Sequence, residues 1–361
     1  MVSSRNYFFD VLRILSVLMV ITSHYSYMFD TSTVLTFPRE YLTSGIGRLG
    51  VSFFFMISGA LSYLSLNKYN AREFYRRRIL SVLVPYNVVY FFMGGLLLLL
   101  SLFFLYPGNP LSDIYHGHRS VLAIFPSLLG FDHYLRGVYG IDTAVLTGEW
   151  FIGCIILLYI LAPLLYQAMV RYPLLTILAV LALSAVTYDK SITNPYWSAQ
   201  VRISDFTFGM LLLHAKTWFS RYRYPLAAAG LALIVAGVFW AHAHQVSVRS
   251  VLFPLHPVAI VFAVAFLSLL LAVYPLINPL FNHAKVNNVM MSLASRAYII
   301  MLLQHVVIIF ISTNIDMSVL NPAQAFLWYG ITLLACERLS AAIKPLAVKC
   351  EKSLLSWRCF Q

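Results

Sequence analysis

Asp10, Arg13 and His24 fall within one stretch that is otherwise apolar, residues 8–29. Ionisable groups buried in such a span cost several kcal/mol unless they pair or serve a function. Asp10 and Arg13 stand three residues apart, the spacing of an ion pair on one helix face. Arg13 and His24 stand 11 apart, which on a helix places them about 20° apart in azimuth and about 16 Å apart along the axis. They line one stripe at two depths. An imidazole, with a reference pKa of about 6.5, suits a general base that takes a proton from a hydroxyl at neutral pH. A histidine hydrogen-bonded to a neighbouring helix is the other reading of the same residue.

Further along, Arg76, Arg77 and Arg78 form an unbroken basic run. Adjacent guanidinium groups can grip the phosphates of an anionic ligand, and the same run can serve only to fix membrane orientation. Glu149 and Trp150 open a long apolar segment. A carboxylate there can bind sugar hydroxyls or orient a histidine, or it can sit solvated at a helix N-terminus; a tryptophan there is also an ordinary interfacial anchor. His305 lies inside an apolar helix, as a second polar wall of one cavity or as a helix-to-helix hydrogen bond. Arg202 and Asp205 have a spacing that lets them neutralise each other. His116, His118 and His133 lack a compact ligand spacing, so no metal is expected. The four cysteines show neither paired metal spacing nor a disulfide framework.

The elements that must position these groups are set by composition. Of 361 residues, 60% are hydrophobic and 11% charged, against about 25% charged in a soluble domain. Residues 79–106 and 250–281 carry no Asp, Glu, Lys or Arg, and each is long enough to cross roughly 30 Å of hydrocarbon. The reading is an all-α, polytopic bundle of about ten transmembrane helices, near 8–29, 47–66, 79–106, 147–168, 173–188, 201–215, 224–243, 251–274, 297–315 and 324–343. The first reads as a retained helix rather than a cleaved signal. A net charge of +12 does not point to nucleic acid, because the basic residues lie in short loops rather than on one face. With both termini in the cytoplasm, sixteen basic residues fall inside and six outside, as the positive-inside rule requires. The one long loop, 107–146, then faces outward. Glycine and serine at 50, 58 and 59 would let another helix approach closely.

Asp10, Leu12, Arg13 and His24, with ten residues between the Arg and the His, resemble the opening motif of acyltransferase family 3, whose members O-acetylate bacterial surface glycans. Residues 50–59 are similar to its Gly-Val, Phe-Phe and Ser-Gly signature, and Tyr75 to Pro85 to its tyrosine and arginine run before a proline. Trp150-Phe151, Tyr159 and Pro163 resemble its fourth-helix pattern, and Arg202, Phe206 and Gly209 a later one. The final family motif departs here: Leu302 stands where a tyrosine is usual, ahead of His305, and Tyr298 is displaced by one.

The resemblance implies a transmembrane acyltransferase domain over 1–343 and a short basic tail, 344–361, in a bacterial inner membrane, without the outer hydrolase-like domain of longer relatives. It implies acetyl-CoA as cytoplasmic donor and a sugar hydroxyl of a surface or lipid-linked glycan as acceptor. It also implies contact with glycan-assembly machinery. His24 would be the base, Asp10 would orient Arg13, and Arg13 with Arg76 to Arg78 would hold the donor. Glu149, Trp150 and His305 would line the acceptor side. A succinyl donor, a flippase for a lipid-linked saccharide and a scaffold of an export complex are the alternative expectations.

Overall fold

The computed structural model describes residues 7–29, 45–103, 121–141, 143–144, 149–188, 194–254 and 259–356. Among these, no strand occurs. Ten helices have 15 residues or more, in the order expected: α1 (Phe8–Tyr27), α2 (Gly47–Lys68), α3 (Ala71–Leu102), α4 (Trp150–Arg171), α5 (Pro173–Thr187), α6 (Ala199–His214), α7 (Arg223–Ala243), α8 (Ala259–Ile277), α9 (Ala297–Asn314) and α10 (Pro322–Ser356). Seven of them, α1 to α4 and α7 to α9, are long and apolar enough to cross a membrane. The other three differ for separate reasons: α5 has 15 residues and α6 has 16, while α10 is long but carries Glu337, Arg338, Lys344 and further charges.

Local chemistry sets the boundaries. Asn70 caps α3, its side-chain oxygen accepting from the Glu73 amide at 2.9 Å, so the helix begins at Ala71 and not at 79. Arg76 to Arg78 therefore belong to the second turn of α3. Pro173 starts α5 at a position where its missing N–H costs nothing. Ser198 caps α6 through the Val201 amide. The eighth long helix begins at Ala259 rather than 251, behind a separate short helix, Val248–Leu252. A helix over Ala284–Ala294 had no counterpart in the sequence reading, and α10 runs unbroken through 343.

The centre of the bundle is a close crossing of α2 and α6. A Cβ on Gly59 would lie 1.8 Å from the Phe206 carbonyl oxygen, and one on Gly209 would lie 1.9 Å from that of Met56. Each glycine is therefore pressed on the other helix's backbone, as small residues permit in membranes. Gly50 makes a similar approach to α1, 2.7 Å from the Ser16 carbonyl. α1 and α4 pack around this centre, α9 packs on α1, α3 and α10, and α7 and α8 pair beside the centre, with Gly230 against Ala265.

The described part of the long loop holds two short helices, Ile124–Leu128 and Asp132–Tyr139. It is tied back to the bundle by Tyr90 Oη donating to the Ala144 carbonyl at 2.9 Å and Ser127 Oγ donating to the same oxygen at 2.6 Å. That brings the chain to Glu149 at the head of α4. His116 and His118 lie outside the described residues; the His133 ring lies against Trp197, tilted by 48° with centroids 4.8 Å apart.

Candidate active site

Three elements meet at His24. It sits in the last turn of α1, and Gln304 and His305 project from the middle of α9. Glu149 occupies the position before α4 and is 4% exposed. His24 Nδ1 lies 2.9 Å from Gln304 Oε1, and Gln304 Nε2 donates to Glu149 Oε1 at 3.1 Å. The same carboxylate oxygen is 3.0 Å from His305 Nδ1, off the line of a straight hydrogen bond. The His24 and His305 rings stack with centroids 4.0 Å apart and planes inclined 21°. One carboxylate thus touches the His305 imidazole directly and is joined to His24 through the Gln304 amide.

The direction of the chain follows from the chemistry of its ends. A carboxylate oxygen accepts here, and the Gln304 amide turns its N–H toward Glu149 and its oxygen toward His24. His24 Nδ1 is then the proton-bearing nitrogen, and Nε2 is left as the basic one. This assignment places a carboxylate, an amide and an imidazole in series, an arrangement that fixes a tautomer and a ring orientation.

Of the residues singled out in the sequence, the structure brings together His24, Glu149 and His305. Gln304 completes the group. Sequence reasoning gave it no role, although an amide beside a histidine in an apolar helix was a readable signal. Asp10 and Arg13 do pair, at 3.0 Å, with Asp10 buried. Along α1, Arg13 stands about 16 Å and Asp10 about 21 Å from His24, apart from the imidazole cluster.

The three arginines of α3 face different partners. Arg76 contacts Glu73 at 3.4 Å and donates to the Leu355 carbonyl. Arg77 pairs with Glu73 and lies over the Tyr69 ring at 4.6 Å. Arg78 donates to the Leu61 carbonyl at 2.5 Å. They form no single cradle in this conformation.

Trp150 turns from Glu149 toward a second buried group. Its ring stacks on Trp197 at 5.7 Å and 7°. Arg202, 2% exposed, lies 3.8 Å from the Tyr196 ring centroid and 5.8 Å from those of Phe55 and Trp150. Asp205 pairs with it at 2.8 Å, and Ser52 Oγ is 3.3 Å from the same guanidinium. The expected neutralisation of Arg202 by Asp205 is what the structure shows. Removing one partner strands a buried charge, which costs about 3–5 kcal/mol. Arg202→Met should therefore lower the thermal unfolding temperature in detergent sharply, and Arg202→Met with Asp205→Leu should recover most of the loss. Equal loss in the single and double variants would contradict this account.

A bundle of apolar helices around a buried carboxylate–amide–imidazole series is the frame of a membrane enzyme. The family model for an acyltransferase domain matches residues 6–336, and the chain belongs to acyltransferase family 3. It is a multi-pass membrane acyltransferase. Searches of the curated proteins and of the solved structures find nothing that matches it.

Proposed function

We propose that the protein transfers an acetyl group from acetyl-CoA, supplied in the cytoplasm, to a sugar hydroxyl of a surface or lipid-linked glycan at the bacterial inner membrane. The single observation that carries this is the series Glu149–Gln304–His24, which presents His24 Nε2 as a base. The acceptor oxygen attacks the thioester carbonyl as Nε2 takes its proton. The new C–O bond forms, the C–S bond breaks, and the departing thiolate receives the proton from the imidazolium. Both reactants must come within about 3–3.5 Å of each other, so donor and acceptor meet inside the bundle.

In this reading Glu149 and Trp150 belong to the acceptor side, with His305 as a further polar wall. Arg13, oriented by Asp10, and the basic rim that includes Arg76 to Arg78 belong to the donor side. The excess of basic residues in the inner loops supports ten crossings with both termini cytoplasmic.

The test is the O-acetyl content of the host's purified surface glycan with the protein intact or deleted, paired with release of free CoA thiol by purified protein. Loss of acetyl on deletion, with thiol release from acetyl-CoA, is expected. Unchanged acetylation with no thiol released would favour a lipid-linked saccharide flippase, and thiol release from succinyl-CoA alone would change the acyl group.

A further inference from the structure

A cavity of about 670 Å³ opens between α1, α9, α10 and the helix Ala284–Ala294. Its wall on α1 is Ile14, Val17, Leu18 and Ile21, a single stripe at helical spacing. The next step of that stripe is His24. On α9 the wall is Ala297 and Ile300, and the next step is Gln304. Neither His24 nor Gln304 lines the cavity itself; each wall ends about one helical turn short of them. From Ile14 to His24 the groove and its continuation run about 15 Å, a reach that an extended pantetheine arm covers.

The end away from His24 is basic. Arg296, 8% exposed, holds Glu337 Oε1 at 2.8 Å and the Ser292 hydroxyl at 3.0 Å. Arg338 is 3.3 Å from the other Glu337 oxygen, with its side chain 78% exposed. Lys344 Nζ donates to Ser295 Oγ at 2.6 Å. Two of these cations, Arg296 and Arg338, each hold one oxygen of the Glu337 carboxylate, and Lys344 stands beside them at Ser295. An apolar slot with a basic mouth and a base beyond its far end matches a ligand with an anionic head, a long thin arm and a reactive tip.

Resting on the proposed use of acetyl-CoA, we infer that this groove is the donor site: Arg338 and Lys344 receive the phosphates, and the pantetheine arm lies along α1 with its thioester at His24. The donor's phosphates are then held at the mouth beside α9 and α10, rather than by Arg76 to Arg78.

The experiment is equilibrium binding of desulfo-CoA to purified full-length protein, with steady-state kinetics in parallel. Arg338→Glu should weaken desulfo-CoA binding and raise KM for acetyl-CoA about tenfold, the worth of one charge-assisted hydrogen bond, with kcat nearly unchanged. Acetyl-pantetheine, which lacks the nucleotide and its phosphates, should be used equally well by this variant and the wild type. Leu18→Trp, which fills the slot, should raise KM for both donors.

A shift in desulfo-CoA binding from Arg77→Glu but not from Arg338→Glu would overturn the assignment. So would a co-purified lipid that Leu18→Trp expels while CoA binding stays intact, since the groove would then hold a hydrocarbon tail. Wild-type protein that neither binds desulfo-CoA nor consumes acetyl-CoA would instead remove the proposed reaction itself.

Discussion

His24→Ala is expected to lower acetyl transfer by about 10²- to 10⁴-fold, the span of general acid–base catalysis. The argument lies in what the imidazole touches. Its Nδ1 side is engaged by Gln304 and its face by His305. Truncation therefore removes the base and also leaves the buried Gln304 oxygen without a donor, at about 1–3 kcal/mol. A second variant separates these effects. His24→Asn keeps an amide N–H that can reach toward Gln304 and lacks a basic nitrogen, so it should fold like the wild type and remain as inactive as the alanine variant. Glu149→Gln should be milder than either, because it takes the negative charge from the series while leaving His24 in place. The measurement is kcat/KM for acetyl-CoA with an excess of acceptor, on protein shown to be monodisperse. Near-normal kcat/KM in folded His24→Asn would remove His24 from the chemistry.

Gly59→Val should strongly destabilise the fold rather than alter the chemistry. The added Cβ would sit 1.8 Å from the Phe206 carbonyl oxygen and 2.7 Å from its carbon. These are backbone atoms of α6, so no side chain can swing away, and the helices must separate. Overpacking typically costs about 1–3 kcal/mol and sometimes more; a collision with backbone belongs at the upper end, on the order of a 10²-fold loss in the folded ratio. Gly209→Val should behave alike, because its Cβ would meet Met56 from the other side. Gly95 is the control, since nothing lies within 4 Å of its built Cβ, and Gly95→Ala should keep its stability. Size-exclusion profiles and thermal melts in detergent read all three. A stable, monodisperse Gly59→Val protein would mean that α2 and α6 cross elsewhere.

The parts of the fold that were legible are those where one residue violates its surroundings. Asp10, Arg13 and His24 interrupt an apolar helix, so their stripe could be drawn from spacing alone, and the Asp10–Arg13 pair is found at that spacing. The long helices follow from apolar length, which is local. The start of α3 was missed because hydropathy counts Arg76 to Arg78 as loop, whereas the cap at Asn70 with Glu73 three residues on places them in the helix. All ten expected helices are present; seven are long and apolar enough to cross a membrane by that measure alone, and the short α5 and α6 and the charged α10 are the three that fall outside it. The joining of Glu149 to His24 through Gln304 depends on how α4 and α9 rotate against α1. Spacing within one helix carries no information about that rotation. The basic mouth beside α10 was hidden for a similar reason: Arg296 is far in sequence from Arg338 and Lys344, and only the packing of two helices brings it beside them.

The glycine crossing of α2 and α6 divides the molecule mechanically. Where two backbones touch, sliding is blocked by every peptide group along the contact, and that pair acts as a stiff keel. α1 is itself locked to this pair at Gly50, whereas on the opposite flank α9 and α10 are held to it by side chains around an open groove, where rotamers can change without a backbone collision. Thermal motion should therefore concentrate on that flank. Entry of a long donor and exit of its thiol would proceed by breathing of one side of the bundle against a fixed spine.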